Sequence, residues 1–425
     1  MANLALGQKA REDLMPPSSI SWVQLDDKER QRAREFLKDL KAGTVDELGF
    51  GRIRQHFSDR FFPATTTIMQ APRYLIFLSG ILDITARQSN FQKALIGFQN
   101  QLREALEKNE KTGVIGSRAG EDLARFPTDI YWSAMKDLGI SKKRSSIMAI
   151  LKGVRGYSDE TEDKNDEGQA ETSSDVNPFL DETALDLGLE SLGRGPNSLK
   201  LKGNKIAGSL NFTLLGPERK YLQERYTQCR KDSLMAYLLT NPPKNLENIW
   251  SLRIPTAEET LVRDLEDAHS FSRIAQGAYL AYEFLLAKRA GHEPRQIAIR
   301  KLVEKWLQSR LLRQNILNWD MEKAILSLRT AGAGKVINDG YDDAQFLRHL
   351  FSADKSGQDA LGWIGDISNL LTSREIRIKG DRAKLGLEKV HIDEEAPLPH
   401  DKSEWTDYRA GIGLRYVKEF LAWKG

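Results

Sequence analysis

The sequence predicts a mainly α-helical protein: two helical bodies joined by a long acidic, disordered linker, with a few short strands. Three observations carry this expectation. Apolar residues recur at helical spacing over most of the chain, as in Phe271, Ile274, Ala278, Tyr282 and Leu285, where the steps are 3, 4, 4 and 3. Helix start and stop signals bracket these stretches, among them Gly216-Pro217 and the spacing of Thr44 and Glu47. The charge is segregated: residues 1–156 carry +7, residues 157–192 carry −11 and residues 193–425 carry +7, hidden within a net charge of +3 over 425 residues.

The segregation sets the expected organisation. Residues 1–156 form an N-terminal helical domain, residues 157–208 an acidic and then Gly/Lys-rich linker, and residues 209–425 a C-terminal helical domain. The stretch SDETEDKNDEGQAETSSD is too polar and too acidic to bury a core. It reads as a solvated spacer, or as a competitor for a basic groove. Phe179, Leu180, Leu185, Leu187 and Leu189 make a short apolar patch within it that suits docking of a partner.

In the first body, Asp26 and Asp27 precede a charged helix that Gly43 stops. Thr44 opens a second, carrying Leu48, Ile53, Phe57 and Phe61 and ended by Pro63. Thr65, Thr66 and Thr67 start a third, with Pro72 in its first turns. Phe91 to Leu106 is amphipathic. In the second body, Leu210 to Leu214 is a possible strand, and a helix follows Gly216-Pro217. Further helices are expected at about 256–268, 270–289, 295–330, 340–352 and 357–372. Glu375 to Lys379 alternates polar and apolar residues and reads as a short strand. A last helix runs through Arg415, Val417, Phe420 and Trp423.

Several chemistries find no support in motif form. The six histidines lie apart from one another, and Cys229 is the single cysteine, so neither a disulfide within the chain nor a clustered metal site is expected. Gly332-Ala333-Gly334-Lys335 lacks the first glycine and the final Ser or Thr of a phosphate-binding loop. No catalytic residue and no cofactor is assigned. With no long apolar run and no leader-like start, a cytoplasmic location away from membranes is expected.

Nucleic acid or a partner protein is the expected ligand, and the nucleic-acid reading has two candidate segments. Asp129 to Leu151 resembles a helix–turn–helix: one helix to Leu138, a turn at Gly139, then Ser141 capping a second helix that opens with Lys142, Lys143 and Arg144. Lys152 and Arg155 add positive charge for phosphates. An ordinary helical hairpin with a basic end fits the same residues. Arg52, Arg54, Arg60 and Arg73 interleave with Phe57, Phe61, Phe62 and Tyr74. That pattern suits either a strand of nucleic acid or a core whose arginines pair with Asp46, Glu47 and Asp59. Near the end, Asp407-Tyr408-Arg409 is either a buried ion pair or a site. An enzymatic alternative, a metal-dependent nuclease, would use Asp59 and Asp407. A third alternative is a protein–protein scaffold.

Asp46-Glu47-Leu48-Gly49-x-Gly51-x-Ile53-Arg54-x-x-Phe57-x-Asp59, then Phe62-Pro63 and Arg73-Tyr74, resemble an uncharacterised bacterial family of unknown function. Ile20-Ser21-Trp22, Gly113-Val114-Ile115-Gly116, Ile130-Tyr131-Trp132 and Asp407-Tyr408-Arg409 extend the resemblance. It implies gene neighbourhoods of phage defence or mobile elements, with a helicase or DNA-modifying enzyme as a partner encoded nearby. It implies no catalytic residues. The expected function is therefore a non-enzymatic component of such a system that binds DNA or a partner protein.

Overall fold

The computed structural model describes residues 46–86, 88–120, 123, 125–141, 146–154, 199, 201–202, 205–255, 258–308, 346, 350, 359–392, 397–399 and 405–422. These residues lie in one compact unit, Asp46–Gly425. The acidic residues 157–192, with Phe179, Leu180, Leu185, Leu187 and Leu189, lie outside the described residues. So do Lys142, Lys143, Arg144 and Arg155.

The described part is mainly helical, as the sequence predicts. The helices are α1 (Gly51–Phe61), α2 (Tyr74–Ala86), α3 (Phe91–Glu107), α4 (Pro127–Asp137), α5 (Ile147–Val154), α6 (Gly216–Cys229), α7 (Leu234–Thr240), α8 (Glu259–Arg289), α9 (Glu293–Gln308), α10 (Ala360–Lys379) and α11 (Ala410–Leu421). The sheet among the described residues is one antiparallel pair, β1 (Leu201–Lys202) and β2 (Lys205–Ile206), with Leu201 opposite Ile206. Buried residues from Leu48 to Leu151 and from Leu199 to Phe420 form one continuous core.

Local chemistry explains most helix starts. Asp46 accepts the backbone N–H of Phe50 at 2.8 Å and of Gly51 at 2.5 Å, so the carboxylate of Asp46 satisfies the start of α1. Asn90 and Ser233 cap α3 and α7 in the same way, each accepting from the third residue on. Pro217 sits in the first turn of α6, where its missing N–H costs nothing. Glu218 reaches back to accept the N–H of Leu215.

Five expectations change. The helix expected to open at Thr44 and to carry Leu48 begins at Gly51, because Asp46 accepts the N–H groups of Phe50 and Gly51. The third helix begins at Tyr74, not at the threonines, because Met69 N–H closes a turn on Thr66 and Pro72 precedes the first helical residue. Leu210 to Leu214 is irregular: Leu210 N–H bonds Ala105 O of α3 and Phe212 N–H bonds Glu110, so the segment lies on α3 with no strand beside it. Residues 259–289 are a single helix of 31 residues. Glu375 to Lys379 is the last turn of α10, not a strand. The alternation misleads there because the polar Glu375 is fully buried while Ile376 and Ile378 are exposed.

α8 is the central helix, and almost every residue from Asp267 to Leu280 is buried. Gly277 lets α9 approach it: a Cβ there would collide with the Trp306 ring, whose indole N–H donates to Arg273 O at 2.9 Å. At the other end, Gly413 of α11 leaves room for the Phe62 ring.

Two buried polar knots tie residues distant in sequence. Arg73 and Glu218 form an ion pair at 2.9 Å with side chains almost fully buried, and Arg73 also donates to Asn211. Glu375 accepts from Tyr282 Oη at 2.7 Å and from the N–H groups of Lys384 and Leu385, with Lys379 Nζ at 3.7 Å. Removing one member of such a pair strands the other charge without solvent.

Glu218→Ala should therefore cost about 3–5 kcal/mol of stability, read as a shift of the urea midpoint with the slope unchanged. The double variant Arg73→Met/Glu218→Leu should recover much of that loss. A recovery of nothing would show that the pair is not what holds these helices.

Candidate functional site

A cleft of about 660 Å³ opens between α1, the α6–α7 turn and α8. α1 contributes His56, Asp59 and Arg60. The turn contributes Arg230, Lys231 and Asp232, and α8 contributes Arg263 and Asp264. A capped helix, a tight turn and the long central helix thus bring side chains from three distant stretches to one place.

Four of the charged residues in the cleft are already engaged. Arg60 Nε bonds Asp264 at 2.6 Å, Arg230 pairs with Asp137 at 2.9 Å, and Asp59 pairs with Arg409 at 2.9 Å. Lys231 and Arg263 are exposed and form no ion pair among the described residues. Arg230 Nε is buried and meets no acceptor among the described residues. His56 packs edge-on against Phe57 at 5.7 Å between ring centres. Burial pushes its pKa below the usual histidine value. Arg60 adds to that, while Asp264 and Asp59 oppose it.

Beside the cleft, the Asp407-Tyr408-Arg409 segment is built as a clamp. Tyr408 and Arg409 both take left-handed backbone, φ 51° and 66°. Such conformations cost non-glycine residues on the order of 1–3 kcal/mol each. Surrounding bonds hold them: Tyr408 Oη donates to Ala268 O at 2.6 Å, and Asp407 accepts the N–H groups of Arg409 and Gly411. Arg409 donates to Asp59, to Thr65 O and to Gln55. Asp59, which the nuclease alternative would use, is thus paired, and Asp407 is spent on the backbone at the start of α11. Among the described residues no group of three His, Cys, Asp or Glu side chains is placed to hold a metal.

The residues named from sequence fare differently. Arg73 is 5% exposed and its guanidinium is engaged by Glu218 and Asn211, lying 5.0 Å from the Phe77 ring centre. Tyr74 is buried and its hydroxyl accepts the N–H of Ile115 at 3.0 Å. Neither presents a surface to a nucleic-acid strand, which corrects that expectation: desolvated aromatics and a paired arginine make core here. Arg54 is half-buried with its guanidinium 5.4 Å from the Trp405 ring centre.

Between α4 and α5, Gly139 takes φ 61°, as a helix–helix turn requires. The turn packs on α6: Arg225 Nε and Cys229 Sγ both donate to Leu138 O, and a Cβ on Gly139 would meet Arg225. α5 begins at Ile147 with Ser146 accepting from Ala149 N–H, so the expected cap at Ser141 is displaced by five residues. Lys142, Lys143 and Arg144 lie outside the described residues.

The Asp46–Gly51 stretch is structural throughout. Asp46 caps α1 and accepts from Tyr279 Oη. Glu47 pairs with Lys379. Leu48 O accepts from Arg374, and Gly49, at φ 71°, lies too close to Ile378 for a side chain. Sequence inspection missed Lys231 and Arg263 because neither belongs to a motif; the Arg230-Lys231 doublet just before the capping Ser233 is the one local signal.

The buried imidazole makes a pH prediction. The folded chain protonates His56 at lower pH than the unfolded chain does, so acid favours the unfolded state as pH falls below about 6.5. Urea midpoints measured from pH 7.5 to 5 should fall less in His56→Gln than in the wild type. An equal or larger fall in the variant contradicts the assignment.

No curated protein and no solved structure matches the chain. Over residues 17–166, the stretch that carries the Asp46–Gly51 segment and His56, the chain matches the model of a family of unknown function, DUF6361.

Proposed function

We propose that the protein is a non-enzymatic, nucleic-acid-binding component of a bacterial phage-defence or mobile-element system. The observation that carries the binding reading is the pair of exposed cations, Lys231 and Arg263, on one cleft with Arg60 and Arg230. Phosphate contacts by lysine and arginine supply most non-specific nucleic-acid affinity. The non-enzymatic part is supported by the commitments of Asp59 and Asp407, whose carboxylates hold Arg409 and the backbone of the last helix. The system-level part rests on the family resemblance. A nearby-encoded helicase or DNA-modifying enzyme is its proposed partner. Lys142, Lys143, Arg144, Arg155 and Arg54 are further proposed phosphate contacts.

The test is DNA affinity at several salt concentrations. The logarithm of the association constant should fall linearly with the logarithm of salt. Lys231→Ala/Arg263→Ala should lower that slope by about 1.4–1.8, since each phosphate contact contributes about 0.7–0.9. Lys142→Ala/Lys143→Ala/Arg144→Ala should lower it separately. Binding that is insensitive to salt and equal in all three proteins would sink the proposal.

A further inference from the structure

We infer that the cleft between α1, the α6–α7 turn and α8 is a site for the phosphomonoester of a single nucleotide, either free or at the end of a strand. This rests on the nucleic-acid-binding reading above and names the ligand group that the cleft takes.

Size comes first. About 660 Å³ is the scale of a small-molecule pocket, which runs roughly 300–1,000 Å³. It suits one nucleotide. A duplex presents its phosphates along a convex surface, and its major groove alone is about 12 Å wide, so a run of paired backbone cannot enter a recess of this volume.

Charge comes second. A phosphomonoester carries about −1.5 to −2 charges near neutral pH, whereas each phosphodiester of a strand interior carries one. Among the described residues Lys231 and Arg263 form no ion pair, and they come from different elements; the exposed carboxylate of Asp232 lines the same cleft. With Arg60, Arg230, Lys231 and Arg263 set against Asp59, Asp232 and Asp264, the lining keeps a positive excess, which favours a phosphomonoester over a single diester.

Donor supply comes third. Arg230, whose guanidinium pairs with Asp137, also lines the cleft and adds a positive charge to its wall. His56 lines the same cleft. The charged groups acting on it are Asp59 and Arg60 of its own helix and Asp264 of α8.

The experiment uses the full chain and fluorescent single strands of one sequence bearing a 5′-phosphate, a 3′-phosphate or hydroxyls at both ends. Deoxyadenosine monophosphate and a closed circular duplex serve as competitors. The phosphorylated strands should bind about tenfold more tightly than the hydroxyl strand. Deoxyadenosine monophosphate should compete and the circular duplex should not remove the difference. Competition at equal concentration by the mononucleotide identifies a free nucleotide as the ligand; competition only at large excess identifies a strand end. Lys231→Gln/Arg263→Gln should abolish the preference while keeping the wild-type unfolding midpoint, because both side chains are exposed. Equal affinity of phosphorylated and hydroxyl strands overturns the inference. If that equality comes with salt-dependent binding of the circular duplex, the broader nucleic-acid reading stands alone; if no nucleic acid binds, both fall.

Discussion

Glu375 is a fully buried carboxylate, and the arrangement of the described chain follows from how it is satisfied. It receives the Tyr282 hydroxyl from α8, two backbone N–H groups from the turn after α10, and Lys379 from its own helix. Lys379 also holds Glu47, whose own pKa is pushed up by burial against the pull of that lysine. A single polar knot thus fixes α8, α10 and the residues that lead into α1. Next to it, Arg374 donates to Leu48 O and lies between the rings of Phe50 and Phe346. The polar knot and the aromatic cluster of Phe50, Phe271, Tyr279 and Trp405 share one wall. Buried ion pairs add little net energy over well-packed apolar groups, but they penalise every arrangement that leaves one charge unpaired.

From that anchor the cleft is placed. Tyr279 and Asp46 fix the start of α1, and α1 carries His56, Asp59 and Arg60 on the turns that follow. Arg60 then crosses to Asp264 of α8, and Arg409 crosses to Asp59 from the strained turn before α11. One ion pair, Arg60–Asp264, thus ties two walls of the cleft together, and Lys231 and Arg263 line it as exposed charges. Rigid walls with uncommitted cations are the economical way to bind an anion, since little conformational entropy is lost when it arrives.

Much of the helical content was legible in the residues. The stripe from Phe271 to Leu285 and Pro217 in the first turn of α6 encode structure within a few neighbours, and local pattern captures such signals. What escaped depends on partners far along the chain. Arg73 looks like a phosphate contact until Glu218, 145 positions away, neutralises it in the core. Glu375 to Lys379 has strand alternation, yet the buried position belongs to the carboxylate because Tyr282 and a turn supply its hydrogen bonds. Leu210 to Leu214 has strand composition but finds α3 where a neighbouring strand would be. The cleft was invisible for the same reason: its cations acquire meaning only when α1, α6 and α8 converge. The charge pattern marks the acidic segment clearly, but it does not reveal that the helices on its two sides share one core.

That shared core is the central claim, and hydrogen exchange tests it most directly. The slowest amides of α2, before the acidic segment, and of α8, after it, should exchange by the same global opening in increasing urea. The account predicts one free energy and one urea slope for both helices, as a single cooperative unit requires. Two distinct free energies with two smaller slopes would show that the helices open independently, and would contradict it.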